Sequence, residues 1–193
     1  MIRLVGPGGA GKTTTGAMLA QRLAIRFVDV DQEFAAANGD VSDYLEIKGY
    51  TAYATQNVEV YLTLRETAAE SAVLALSSGF ITYEDAVHPE YATLRREIAD
   101  NATTFVLLPS LDCETCVVET VRRQLGRPFG RSAQREEQVI RERFSIYRNL
   151  SATKIETMKP VAEVVESIVA SLPPNKRLQQ TPELLSARFA RSI

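Results

Sequence analysis

Near its N-terminus the chain reads IRLVGPGGAGKTTTGAMLAQRLA. An apolar tetrapeptide runs into a glycine-rich turn, then a lysine, then a row of threonines. The turn fits the pattern G-x-x-x-x-G-K-[ST] through Gly6, Gly11, Lys12 and Thr13. Glycines at such spacing let the backbone adopt conformations closed to other residues and bring its N–H groups close to a ligand. Those groups form an anion-binding concavity, and a following helix adds its positive end. The stretch from Gly6 to Thr14, with Gly8, Gly9 and Ala10 inside it, is therefore expected to hold a nucleotide's phosphates. Lys12 is placed to reach the outer phosphates, and the Thr13 hydroxyl to ligate Mg²⁺. The flanks agree: IRLV reads as a strand, and TTTGAMLAQRLA as a helix with Met18, Leu19 and Leu23 on one face. Strand, glycine loop and helix are the context this motif requires.

The rest of the chain repeats that alternation. RFVDV, VLALSSG, TTFVLLPS and TKIETM read as further strands, each continuously apolar or nearly so. QEFAAANG and VSDYLEIKG read as short helices split at Gly39, and TAYATQNVEVYLTLRETAAESA as a longer one. PEYATLRREIAD, LDCETCVVETVRRQL, AQREEQVIRERFSIYRNLS and KPVAEVVESIVASL complete the helices, with a break at Gly126-Arg127-Pro128. The fold class that follows is α/β: three layers, a five-stranded parallel sheet with helices on both faces. Ligands of such sheets bind at the carboxyl ends of the strands. The glycine loop and the pair Asp29 and Asp31 both end strands in this reading, so they are expected on one edge of the sheet.

The 193 residues suit one domain, with 45% hydrophobic and 24% charged residues. A net charge of −2 gives no broad basic surface, so nucleic acid is not expected as a partner. No apolar run approaches a membrane span, and the first strand begins at once, so a cytoplasmic protein is expected. It is expected to be a monomer. Cys113 and Cys116 form a lone C-x-x-C and His88 is the one histidine, too few ligands for a zinc site. The cysteines read as two reduced thiols one helical turn apart. Residues 173–193 open with two prolines and are polar and basic, and read as a mostly disordered tail after a domain spanning residues 1–172.

The block GPGGAGKTTTGAMLAQRLAIRFVDVDQEF resembles the N-terminal region of shikimate kinases, a phosphate-loop kinase fold that pairs the loop with D-x-D after the second strand. The resemblance continues through NGDVSDYLEIKGY, VLALSSG, GRPFG and RFSIYRNLSATKIET. It implies an enzyme that transfers a phosphoryl group from ATP to a hydroxyl of a small molecule, with Mg²⁺. On that resemblance Lys12 and Thr13 hold ATP phosphate and Mg²⁺, and Asp29 supports the Mg²⁺ shell. Asp31 contacts the acceptor hydroxyls and assists their deprotonation, and Gly79 faces the acceptor. Arg127 starts a short mobile lid over the nucleotide, and Arg143, in RFSIY, binds the acceptor's carboxylate. Elementary chemistry supports the same roles: aspartates opposite a phosphate loop can hold metal water and orient a hydroxyl, and arginines clamp carboxylates.

The chain departs from the family's pattern at its acceptor half. Where the family has G-E-x-x-F-R-x-x-E, this chain has GYTAYATQN, so the clamping arginine falls at Ala54 and its supporting acid at Asn57. The triple glycine falls at Ser77, Ser78 and Gly79. An apolar gap beside Arg143 is expected at Ala54, and extra hydroxyl donors at the serines. Two alternatives stay open at this point: a kinase for a different small alcohol or nucleoside, and a non-catalytic nucleotide-binding module.

Overall fold

A computed structural model describes residues 1–67, 71–126 and 132–174. Five strands, β1 (Ile2–Val5), β2 (Arg26–Asp29), β3 (Ala72–Ala75), β4 (Thr104–Leu108) and β5 (Thr153–Glu156), form one sheet in the order β2-β3-β1-β4-β5. Every pairing is parallel, with Leu4 standing between Ala75 and Phe105. The helices between them are α1 (Lys12–Leu23), α2 (Val30–Asn38), α3 (Val41–Thr67), α4 (Tyr91–Ala99), α5 (Cys113–Leu125), α6 (Ala133–Asn149) and α7 (Val161–Ser171).

Side chains alternate across the sheet, because successive residues of a strand point to opposite faces. Leu4, Val73, Phe105 and Leu107 pack against α1 and α7 with Leu19, Leu23, Val165 and Ile168. Val5, Leu74, Val106 and Leu108 face the other way, toward α2, α3 and α4 with Phe34, Tyr61 and Leu94. Both faces of the sheet are thus covered, which is why the inner strands β3 and β4 are buried at every position. The expected three-layer architecture is the observed one.

Three local features set up the site. β1 lies centrally, and the chain proceeds to β2 and β3 on one side of it and to β4 and β5 on the other. That reversal opens a crevice at the carboxyl end of β1, where the glycine loop sits. Next, Gly49 breaks α3 at φ 82° and ψ 169°, dividing it where two helices were expected. Last, α2 starts at Val30 and not after the aspartates. Asp31 was expected at the end of the second strand; it belongs instead to the first turn of α2. The reason is local: the Asp29 side chain accepts from the Asp31 N–H and caps the helix, which ends the strand one residue before Val30.

Among the described residues, no helix is long and apolar enough to cross a membrane. Cys113 and Cys116 are both free thiols. Of the tail expected over residues 173–193, residues 175–193 lie outside the described residues, as does Arg127 of the expected lid.

Candidate active site

The glycine loop is shaped by its backbone. Gly6 leaves β1 at φ 148°, and a side chain there would strike the carbonyl oxygen of Leu107 on β4. Gly9 follows at φ 78°, held against Thr120 of α5, a conformation that any other residue adopts only with strain. The loop ends where α1 begins at Lys12, and no side chain caps that helix. Its first N–H groups and its positive end face the loop. Lys12 Nζ donates to the carbonyl oxygens of Gly6 at 2.7 Å and Pro7 at 3.0 Å, placing its charge over the loop. Ala10 is buried beneath, and Thr13 and Thr14 are exposed.

Arg123 was not among the residues expected from sequence. From α5 it donates to the Gly9 carbonyl (3.2 Å), the Thr157 hydroxyl (3.1 Å) and the Thr157 carbonyl (2.9 Å). It therefore ties the glycine loop to the segment following β5. Glu119 holds it from below at 2.6 Å. The Arg122 and Arg123 guanidiniums bonded to Glu119 pull its carboxyl from an ordinary 4.5 down to about 2.

Asp29 joins the two ends of the site. Oδ2 accepts from the Thr13 hydroxyl at 2.7 Å, while Oδ1 accepts from the N–H of Asp31 at 3.0 Å. A hydroxyl and a carboxylate side by side are hard oxygen donors and fit Mg²⁺. Among the described residues, no group of three or more acidic, histidine or cysteine side chains could hold a metal alone. Mg²⁺ commonly takes one or two protein oxygens and completes its shell with phosphate and water.

The end of the site expected to take the acceptor is built from side chains on separate elements. Asp31 of α2 is exposed. Its Oδ1 accepts from Ser77 Oγ at 2.5 Å and from the Tyr53 hydroxyl at 3.3 Å. Behind them, Asn57 Nδ2 donates to Ser77 Oγ at 2.9 Å, and the Tyr83 hydroxyl donates to Asn57 Oδ1 at 3.2 Å. Burial, with the charge of Asp31 adding to it, pushes Tyr53 well above the ordinary tyrosine range, and burial does the same to Tyr83. Both stay protonated, neutral donors. Arg143 of α6 donates to the Tyr50 hydroxyl at 3.1 Å and, at 3.5 Å, to the carbonyl of Ser78, which also accepts from Tyr147 at 2.6 Å. A side chain at Gly79 would meet the Tyr50 hydroxyl at 2.9 Å and Arg143 Nη2 at 3.4 Å, so glycine permits this close approach.

Lys12, Thr13, Asp29 and Asp31 thus meet on one edge of the sheet, with Gly79 and Arg143 together around the Tyr50 hydroxyl. The gap expected at Ala54 does not exist: Ala54 is 1% exposed and packs in the core with Tyr53 and Val58. Ser77 supplies the hydroxyl donor expected of it, whereas Ser78 contributes through its carbonyl. The tyrosines at 50, 53 and 83 were missed. One signal was available, since Tyr50 and Tyr53 follow directly on the break at Gly49.

A model of the shikimate kinase family matches residues 8–173. Shikimate kinase 2 of Salmonella schwarzengrund is 32% identical over 185 residues, covering 92% of this chain and 95% of the relative. The chain belongs to the shikimate kinase family. Solved structures agree. Shikimate kinase from Acinetobacter baumannii, in complex with shikimate, has a TM-score of 0.66 at 28% identity, over 87% of this chain and 89% of that one. Shikimate kinase from Aquifex aeolicus has a TM-score of 0.63 at 27% identity, over 88% of this chain and 94% of that one. As a member of this family the chain is a phosphotransferase that acts on the hydroxyl of a small molecule, using ATP with Mg²⁺.

Proposed function

We propose that this kinase phosphorylates a ring hydroxyl of shikimate or a related acceptor, with Asp31 as the group that receives the hydroxyl proton. The observation that carries this reading is the continuous link Thr13–Asp29–Asp31, at 2.7 Å and 3.0 Å. It ties the backbone of Asp31 to the start of α1, beside the loop proposed to hold the phosphates. In the reaction, the bond between the γ-phosphorus and the β,γ-bridging oxygen breaks, and a new P–O bond forms to the acceptor oxygen. The hydroxyl proton passes to Asp31, and the products are ADP and a phosphate monoester. Positioning and charge neutralisation carry most of such a transfer. The loop N–H groups and Lys12 bind and orient the phosphates. Thr13 and Asp29 would hold Mg²⁺, which supplies charge neutralisation at the transferring group when bound. Arg123 keeps the loop in place, and Gly79 and Arg143 border the acceptor. Arg127, in the lid segment, is assigned to the nucleotide on the family resemblance alone.

The relative from Acinetobacter baumannii holds shikimate, which supports the acceptor class. A coupled assay of ADP release with ATP·Mg²⁺ and shikimate tests the reading. Release that rises with acceptor concentration is expected. Release indifferent to acceptor would contradict it and leave a nucleotide-binding module.

A further inference from the structure

Resting on the reading above, we infer that the acceptor is selected through its hydroxyls and not through a carboxylate, so that a neutral cyclic polyol serves as well as its acid. The donors around Asp31 run in one direction. Tyr83 donates to Asn57, Asn57 to Ser77, and Ser77 and Tyr53 both to Asp31 Oδ1. Every link is an uncharged group, and burial keeps both tyrosines protonated.

This arrangement has two consequences. The hydroxyl protons of Ser77, Tyr53 and Tyr83, and one amide proton of Asn57, are already committed to the chain that ends on Asp31, so none of these four is left to meet an entering anion. Asn57 is fully buried and Ser77 is 1% exposed, which keeps the rest of the amide behind the chain. Meanwhile Asp31 is exposed, and among the described residues its Oδ2 accepts no hydrogen bond. An oxygen of that kind wants a donor: a hydroxyl of the acceptor supplies one, a carboxylate does not. An acceptor carboxylate beside Asp31 would also be a like charge.

The cation that the described contacts place at this end is Arg143. It lies half-buried at the rim, with its guanidinium on the Tyr50 hydroxyl and the Ser78 carbonyl. Its remaining N–H groups could meet a carboxylate only at a partly solvated position, where charge-assisted contacts are weakened by solvent. The next turn of α3 offers no second cation, since Ala54 is packed in the core and Asn57 is neutral. A clamp made of paired charged contacts discriminates by roughly 10²-fold or more against a neutral isostere. This site has no such pair among its described residues.

The test compares shikimate with its primary carboxamide, which has the same ring, hydroxyls and shape but no charge. Both are assayed as phosphoryl acceptors of the unaltered enzyme at saturating ATP·Mg²⁺. A kcat/KM for the amide within about tenfold of that for the acid, or above it, is the expected result. An acid preference beyond about tenfold would overturn the inference while leaving the proposed function intact. Turnover of neither, in protein that still binds ATP·Mg²⁺, would overturn the inference and the proposed acceptor class together. A companion measurement uses cyclohexenecarboxylate, a carboxylate without hydroxyls. It should fail to compete with shikimate, and competition at concentrations near the KM for shikimate would count against hydroxyl selection.

Discussion

The nucleotide end and the acceptor end of this site are built from different materials. The first is backbone: a loop of glycines at positive φ, the start of α1, and one lysine folded over it. The second is side chain: Asp31 from α2, Tyr53 and Asn57 from α3, Ser77 after β3, and Arg143 from α6. Backbone N–H groups serve any phosphate, so the first design has little room to vary. A side-chain network can be rewired one residue at a time, and here it is a relay of neutral donors that ends on Asp31. Asp29 is the hinge between the two, with one carboxylate oxygen on Thr13 and the other on the N–H of Asp31.

That contrast can be broken or sharpened by substitution. The largest effect is expected at Asp31, where Asp31→Asn should lower kcat by about 10²–10⁴-fold, the usual contribution of a positioned base. Steady-state kinetics with shikimate measures it, and a loss below tenfold would remove Asp31 from the chemistry. Next comes Lys12→Ala, which should weaken ATP·Mg²⁺ binding by roughly 10–100-fold, since hydrogen bonds to charged groups contribute more than neutral ones. Calorimetry reads this directly, and unchanged affinity would show that the loop holds phosphate without its lysine.

A smaller and more selective loss is expected from Ser77→Ala. It removes the 2.5 Å bond to Asp31 and leaves Asn57 without its acceptor. We expect kcat to fall about tenfold, the equivalent of ~1.4 kcal/mol, with the KM for ATP unchanged. Ser77→Thr, which restores the hydroxyl, should recover most of the loss. A variant that loses ATP affinity as well would mean that the two ends are not separable.

The smallest effect concerns the brace under the glycine loop. Arg122 and Arg123 hold the Glu119 carboxyl near 2. A carboxyl depressed in the folded state contributes stability that is complete above its ordinary value of 4.5 and is lost as pH falls toward 2. Glu119→Gln should therefore cost only about 2–4 °C in Tm at neutral pH, the shift that roughly 1 kcal/mol produces in a chain of this size. It should also flatten the decline in Tm between pH 4.5 and 2. An unchanged acid profile in that variant would contradict the assignment of Glu119.

What could be read from the sequence follows the same division. The loop is contiguous and follows a strand directly, so the strand, glycine turn and helix over residues 2–23 were legible to within a residue or two. The strands were legible because both faces of the sheet are covered, so that the central ones, AVLA in β3 and TFVLL in β4, are buried at every position. Asp31 was placed on the wrong element, because the apolar alternation of Val28 and Val30 continues past Asp29 and hides the helix cap. The link between Tyr53 and Tyr83 was illegible, since they are thirty positions apart and the break at Gly49 points to Tyr50 and Tyr53 alone. Arg123 was hidden for a similar reason. It follows Arg122 in an amphipathic helix, and nothing in the sequence separates the one that salt-bridges at the surface from the one that reaches Gly9.

The claim at the centre of this account is that Asp31 serves the acceptor while Asp29 and the glycine loop serve the nucleotide. Calorimetric titration of Asp31→Asn with ATP·Mg²⁺, beside the unaltered enzyme, addresses it most directly. Affinities within about threefold of each other, in a variant whose turnover has collapsed, are the predicted result. A fall in ATP·Mg²⁺ affinity that matches the fall in turnover would place Asp31 in the metal's shell and contradict the division.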